Sequence, residues 1–518
     1  MEELEFAPKT TLMYTRAIII LILSFFIFLQ NTQASKQINK KVDESAVVEG
    51  EEDYEFEEYE MEGESSIEYE FNGFIDLENF ISTYKENTPK ETNLKNEIKN
   101  NFNFSIVGGN FQSTIDINLY INSNIVDESY NEDYLYSQDF DVSRNVRLSN
   151  RSYEIIFNEL YFGYGIETLR LRIGNQKYGW GTADGVNPTS YFNPQDFREL
   201  LFKDDDETKI PIPSISSMVF LADLTLELVF APIHVPMLMA GKDTFWAIKY
   251  WEGPFPVVAD KPEELDVVSK NFGYGCRLSY SFYGIDFSLS GFYGPDVDPV
   301  MRPIGPTTIP GESVSLLVRP EYNINSKIGL DFSKTIESPL GNFVTQFETA
   351  FSPDKSGVVD QGDVHNIVDA DKLEFPFELK KGKYISYSVG FNYFIPLNRI
   401  FKGHTGDTIL TFEWHESFYL NSDILQPVLS DILTCKFEDS YFSNYLTLSL
   451  IAVVDTQNNG LVFIPEIGVD LQNGFALYIA YAYIEDYNED SDNKIANQSM
   501  FGLYKDNDII IVKARYKY

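Results

Sequence analysis

Hydrophobic and polar residues alternate along most of this chain, with a period of two. In "TLRLRIGN" Leu169, Leu171 and Ile173 fall on one face and Arg170 and Arg172 on the other. "LTLELVF" sets Leu224, Leu226, Leu228 and Phe230 against Thr225 and Glu227, and "IDFSLSGFYG" sets Ile285, Phe287 and Leu289 against Asp286, Ser288 and Ser290. "KYISYSVGFNYF" and "FALYIAYAYI" continue the pattern with tyrosines. Such alternation predicts strands with one apolar face. From Glu68 to Tyr518 the segments number roughly 16 to 19, and many exceed the usual soluble strand of about 5 or 6 residues. Stretches rich in Asn, Asp, Gly and Pro separate them, and helical spacing is scarce.

The N-terminal region differs. Ala17 to Leu29 is apolar except for Ser24, with Arg16 before it and Thr32-Gln33-Ala34 after it. The run is too short for a membrane-spanning helix, which needs about 20 residues, and fits the apolar core of a signal peptide over 1–34. Glu2, Glu3 and Glu5 do not suit the positive start of such a peptide, so Met13 is the expected initiator. From Asp43 to Glu70 there are acids and no Lys or Arg, which predicts a disordered acidic tail over 35–67. The rest, 68–518, is expected to be one domain.

Composition narrows the choice. The chain has 518 residues and a formal net charge of −39, which argues against nucleic acid as a partner. Only two cysteines occur, Cys276 and Cys435, so no disulfide framework holds the fold. Tyr and Phe number 33 and 41. A soluble β-propeller would show a blade repeat, and none is visible. The expected fold is therefore all-β: a transmembrane antiparallel β-barrel of about 16–18 strands with a disordered acidic N-terminal tail. Apolar residues would face lipid, and charged and small polar ones would line a wet lumen. "DIIIVKARYKY" alternates to the last residue and ends on Tyr518. An aromatic terminal strand resembles the signal read by the barrel assembly machinery, although that signal normally ends in Phe.

The stretch "GNQKYGWGTADGVNP" (174–188) carries four glycines, a Trp, an Asp and a Pro. It follows two strands, 158–165 and 168–175, expected to join at Ile166-Glu167. Asn158, Glu159 and Tyr161, then Arg172, Gly174 and Gln176, then Trp180, Gly181, Asp184 and Gly185, lead into Asn193, Pro194, Asp196, Arg198 and Glu199. An acidic run at Asp204–Asp206 and then Ile210-Pro211 follow. This pattern, covering Asn158 to about Pro236, resembles an uncharacterised family of Gram-negative outer-membrane barrels, porin-like proteins compared with alginate-export channels. The resemblance implies a bacterial outer-membrane barrel and says little about substrate.

Physically, the segment 177–213 could fold inward and narrow the lumen, or could simply brace the wall. Arg170, Arg172, Gln176 and Glu159 are expected on the lumenal side, with Glu159 pairing across the hairpin to Arg170 or Arg172. Trp180, Asp184, Asp196 and Arg198 would sit in the segment itself, the last three as a fixed charge network setting selectivity. The glycines do not cradle phosphate, for no GK[ST] ending follows them. Catalysis has little support: the histidines are His234, His365, His404 and His415, and no G-x-S-x-G occurs. His415, near Ser417, is the least implausible base. The acids at Asp204–Glu207 and 485–492 could take Ca²⁺ but suit exposed loops better. No enzyme activity, cofactor or metal is therefore expected. The expected function is passive passage of small hydrophilic solutes, or export of a polymer or lipid. The alternative is a non-conducting barrel used as a surface adhesin or structural antigen. Expected partners are outer-membrane lipid, the assembly machinery, a homo-trimer, and a periplasmic protein docking on the acidic tail.

Overall fold

The computed structural model describes residues 67–83, 93–122, 146–149, 153–203, 205–240, 246, 257–260, 265–308, 314–361, 374–399, 401, 404, 406, 408–427, 430–471, 473–487, 501–505 and 507–518. The expected signal peptide, the Met13 start and nearly all of the acidic tail lie outside the described residues.

The alternating segments form long strands in chain order. They are β1 (Ile67–Ser82), β2 (Asn93–Gly108), β3 (Phe111–Asn122), β4 (Tyr153–Ile166), β5 (Leu169–Gln176) and β6 (Ile212–Leu221). Next come β7 (Leu224–Ala231), β8 (Gly273–Phe282), β9 (Ile285–Pro295), β10 (Ile324–Ile336), β11 (Asn342–Val358) and β12 (Leu379–Phe394). The last are β13 (Thr408–Tyr419), β14 (Asp431–Tyr441), β15 (Leu446–Asp455), β16 (Gly460–Asp470), β17 (Phe475–Asp486) and β18 (Ile509–Lys517). Each pairs antiparallel with its sequence neighbour. The ring closes where β18 meets β1, from Phe74 opposite Lys517 to Ser82 opposite Ile509. The sheet has 19 strands, one of them the three-residue strand Arg147–Ser149 lying beside β4, so the barrel has 18. Closure leaves no edge whose backbone groups would go unpaired in hydrocarbon.

The two faces follow the sequence pattern. On β5 Leu171 and Ile173 are exposed, as are Leu160 and Phe162 on β4 and Ile328 and Leu330 on β10. Their alternates Glu159, Asp331 and Glu227 are buried on the inner side. An exposed apolar belt around a closed sheet would be a liability in water and is the lipid-facing surface of a membrane barrel. An even-stranded, antiparallel barrel of this kind belongs to the bacterial outer membrane. At one end the strands join by tight turns, including Gly109-Asn110, Ala222-Asp223 and Tyr283-Gly284. Positive φ at Gly109, Ala222, Tyr283 and Gly284 matches the twist of a two-residue hairpin. The β4–β5 turn is Glu167-Thr168, one residue later than expected, because Ile166 still pairs with Leu169. At the other end the connections are long; one holds an external sheet of Val300–Thr308, Val314–Glu321 and Val257–Ala259.

The inner face is not uniformly polar, as the alternation alone suggested. Phe80, Ile464, Ala480, Ala482, Ile484 and Ile509 put an apolar patch on the inner wall of β16, β17, β18 and β1. Leu200, Phe202, Trp246 and Tyr504 pack against it from within. A strand flanked by lipid on one side and packed loops on the other is apolar on both faces.

Candidate functional site

The connection between β5 and β6 lies against inner-face residues on many strands. Its root is a hydrogen-bonded neck. Asn193 Nδ2 donates to Gln176 O (3.1 Å) and to Ile210 O (2.9 Å), and its Oδ1 accepts from Tyr178 N at 2.7 Å. Gln176 is tied to β6 through Ser214 O at 3.1 Å. Above the neck Tyr178, Trp180, Tyr191 and Phe192 form an aromatic cluster, with Trp180 and Phe192 edge to face at 5.2 Å. Two glycines give this cluster its seats. A Cβ on Gly275 would fall 2.4 Å from the Phe192 ring, and one on Gly329 would fall 2.0 Å from Tyr191 Oη. Burial pushes the Tyr178 and Tyr191 phenols above their ordinary value. The Trp180 indole donates to Glu227 on β7 at 2.7 Å.

Beyond the cluster the chain reaches the far wall, where two carboxylates receive it. Glu348 on β11 accepts from Thr182 N (2.8 Å), Ala183 N (3.1 Å) and Thr189 N. Glu413 on β13 accepts from Asp184 N (2.8 Å), Gly185 N (3.2 Å) and Val186 N (3.0 Å). Ser388 on β12 donates to Val186 O at 2.6 Å, and Asn392 donates to Asp184 Oδ2 at 2.9 Å. Backbone N–H groups of a turn would be costly to bury unpaired, and the inward carboxylates supply their acceptors.

The returning half runs the other way, toward β1–β4, and is fixed by ion pairs. Arg198 binds Asp196 through Nη2 (2.5 Å) and Nε (2.8 Å), and reaches Glu154 on β4 at 3.1 Å. Lys203 closes on Asp196 at 2.5 Å. Lys95 on β2 meets Glu199 at 3.0 Å, Glu78 at 2.6 Å and Glu97 at 3.2 Å. Glu207 pairs with Lys99 and accepts from Tyr120 Oη at 3.1 Å. Burial alone would raise the Asp196 carboxyl; Arg198 and Lys203 outweigh it and hold the group well below the carboxylate range. For Glu199 burial wins over Lys95 and Lys203, and its carboxyl is raised. A buried pair is strongly disrupted by loss of one member, so this half is tied to the wall.

The sequence-derived residues fall on both sides of this segment. Arg172 lies over the Tyr161 ring (4.8 Å) and Arg170 over Phe220 (4.8 Å), both on the inner face of β5. Glu159 is buried on β4, in register with Asp116, and of the two expected arginines it is Arg172 that bears on it electrostatically. Asp196 and Arg198 do pair, but Asp184 is not in their network. It sits at the tip, on the opposite wall, because the segment doubles back at 187–193. Glu207, expected in an exposed acidic loop, is held by Lys99 and Tyr120. His415 is buried on β13 with Nδ1 3.0 Å from Ser388 Oγ, the hydroxyl that braces Val186. Glu348, Glu413, Glu154, Lys95 and Glu199 went unrecognised as parts of the site. Alternation places the strand residues among them on the inner face, but no local signal pairs them with a turn so distant in sequence.

No family model matches the chain, and no curated relative matches it. Among solved structures the chain is similar to OccAB1 of Acinetobacter baumannii, at 7% identity and TM-score 0.48, over 87% of this chain and 96% of that one. It is similar to OpdK of Pseudomonas aeruginosa, solved with vanillate, at 8% identity and TM-score 0.47, over 87% and 98%. A BenF-like porin from Pseudomonas fluorescens Pf-5 is similar at 8% identity and TM-score 0.45, over 87% and 98%. The barrel assignment stands on the strand register of this chain and not on these likenesses.

Proposed function

We propose that this chain is a porin-like channel of the outer membrane, and that segment 177–211 is its constriction. The observation that carries the reading is the seating of the tip: amides of 182–186 and 189 bind Glu348 and Glu413, on strands remote from the segment's root on β5 and β6. A chain that only braced the wall beside its own strands would not cross to β11 and β13. The solutes are small and hydrophilic and pass by diffusion, filtered by the polar groups of the segment and the facing wall. The motif from Asn158 to Pro236 supports membership of the porin-like family compared with alginate-export channels.

The test is single-channel conductance of the refolded full chain in a planar bilayer, against a deletion of 182–189. That deletion spares the aromatic cluster and the ion pairs. Its ends already lie close, since Asn187 Nδ2 donates to Trp180 O at 2.8 Å and Ser190 N to Asn187 O at 3.3 Å. Discrete steps that enlarge on deletion are expected. Unchanged steps would remove the constriction and keep the channel. A folded barrel with no steps would leave the surface adhesin reading in its place.

A further inference from the structure

The channel reading leaves open which solutes the constriction favours, and the level of the segment's tip speaks to that. Carboxylates gather there: Asp184 on the tip, Glu348 and Glu413 beneath it, and Asp331 on β10, directly opposite Glu348 in register. Both oxygens of Glu348 accept N–H groups, and so do both oxygens of Glu413. A protonated carboxyl would turn an O–H toward one of those donors, so the arrangement fits the ionised form. The positive charge nearby is limited. Arg277 on β8 lies 3.3 Å from Asp331 Oδ1 and donates to Gly179 O at 3.3 Å. Lys436 on β14 is 3.1 Å from Glu438 and is balanced by it.

A second observation is independent of the charge count. Asp331 Oδ2, Gln346 Oε1 and Asn392 Oδ1 are buried and have no hydrogen-bond partner. Asp331 is 1% exposed and Gln346 7%. Gln346 stands two residues from Glu348 on the same face of β11, and Asn392 is the residue that holds Asp184. Unmet acceptors on the wall of a polar passage call for a ligand that brings donors. The exposed groups at this level are Asp184, Gly185 and Val186 on the tip and the Lys436–Glu438 pair on β14, so the passage runs between them.

We propose that the tip level is the selectivity level of the channel and favours cations, with a solute class of small hydrophilic molecules bearing ammonium or guanidinium groups. The inference rests on the channel function proposed above. Asp184 supplies the exposed charge. Asp331, Gln346 and Asn392 supply acceptors that a donor-rich cation satisfies and a carboxylate does not. A low-dielectric wall of one sign concentrates counter-ions and excludes co-ions.

The experiment is the reversal potential of single channels of the full chain in a KCl gradient, followed by the same reading with arginine hydrochloride and with potassium glutamate. At low salt K⁺ is expected to pass over Cl⁻ by on the order of tenfold. Arginine should carry current and glutamate should not. Asp184→Asn should bring the ratio toward one, and Asp184→Lys should take it further; both changes sit on an exposed tip, and the heat-shifted mobility of the folded barrel checks that the protein is intact. Channels that are unselective, that favour Cl⁻, or whose selectivity ignores both substitutions overturn this inference and leave the channel standing. A folded barrel that never conducts overturns the channel reading together with it.

Discussion

Trp180 and Glu227 are joined by a 2.7 Å hydrogen bond across the barrel interior, with both side chains buried. This bond carries the root of the constricting segment onto β7, and the aromatic cluster packs around it. Trp180→Phe keeps most of the packing and leaves the Glu227 carboxylate without its indole donor. The cost should be about 1–3 kcal/mol, the penalty for a buried group left unsatisfied. Limited proteolysis of the folded barrel should then cut within 182–186 faster than in the wild type. Equal cutting rates would show that the bond does not hold the segment.

Glu348 and Glu413 hold one turn between them, so their effects should not add. Glu348→Gln and Glu413→Gln each replace an accepting oxygen with a donor that faces backbone N–H groups. Each single variant should increase brief openings of larger conductance. The double variant should show the large step most of the time, by more than the sum of the singles. Single-channel recording reads this directly, and additive effects would mean that the two carboxylates act on separate parts.

Arg198 is the keystone of the returning half. Arg198→Ala leaves Asp196 and Glu154 buried opposite Lys203 and Arg147 with their main counter-charge removed. Loss of one member of such a buried group costs about 3–5 kcal/mol. The urea midpoint of the refolded barrel, followed by its heat-shifted mobility, should fall accordingly. Arg198→Lys should recover only part, because an ammonium cannot copy the two contacts to Asp196.

Gly329 is a seat for the segment. A Cβ there would lie 2.0 Å from Tyr191 Oη and 2.6 Å from Thr189 Cγ2. Gly329→Ala should push both residues away from β10 and weaken the Thr189–Glu348 bond. A penalty of about 1–3 kcal/mol, typical of overpacking, is expected. The readout is hydrogen exchange at the amides of 182–189, which should speed up while exchange in β10 and β11 stays slow.

The pH response has a sign fixed by His234. This side chain lies in the β7–β8 connection, donates from Nε2 to Asp296 O at 3.2 Å and packs 4.5 Å from the Tyr322 ring. Burial lowers its pKa from 6.5 to about 4. The folded value lies below the unfolded one, so the unfolded state takes up the proton first. Stability is full above pH 6.5 and declines as pH falls toward 4, by up to about 3 kcal/mol. Asp196, also depressed, adds its loss only below the ordinary carboxylate range near pH 4. Unfolding midpoints between pH 7 and 4 should fall in the wild type and stay flatter in His234→Asn.

Much of the architecture is readable from local pattern. The alternation in 169–173, 224–230 and 285–290 gave the strands, their outward faces and the barrel, because lipid and lumen impose a period of two on each strand separately. It also placed Arg170, Arg172 and Glu159 inside. The inward apolar patch at Ile464, Ala480, Ala482 and Ile509 broke the rule, since those strands face packed loops instead of water. Asp184 could not be separated from Asp196 and Arg198 by sequence, because a reversal within 187–193 sends the two halves of one segment to opposite walls.

What the chain alone determined is therefore the class of fold, the number of strands to within a few, and which side of each strand meets lipid. These depend on residues one and two positions apart. What the tertiary structure decided is which carboxylate receives which amide. Glu348 and Glu413 become partners of 182–189 only when the ring closes and carries β11 and β13 opposite β5, and only the closed barrel makes a turn at 184 the narrow level of the passage.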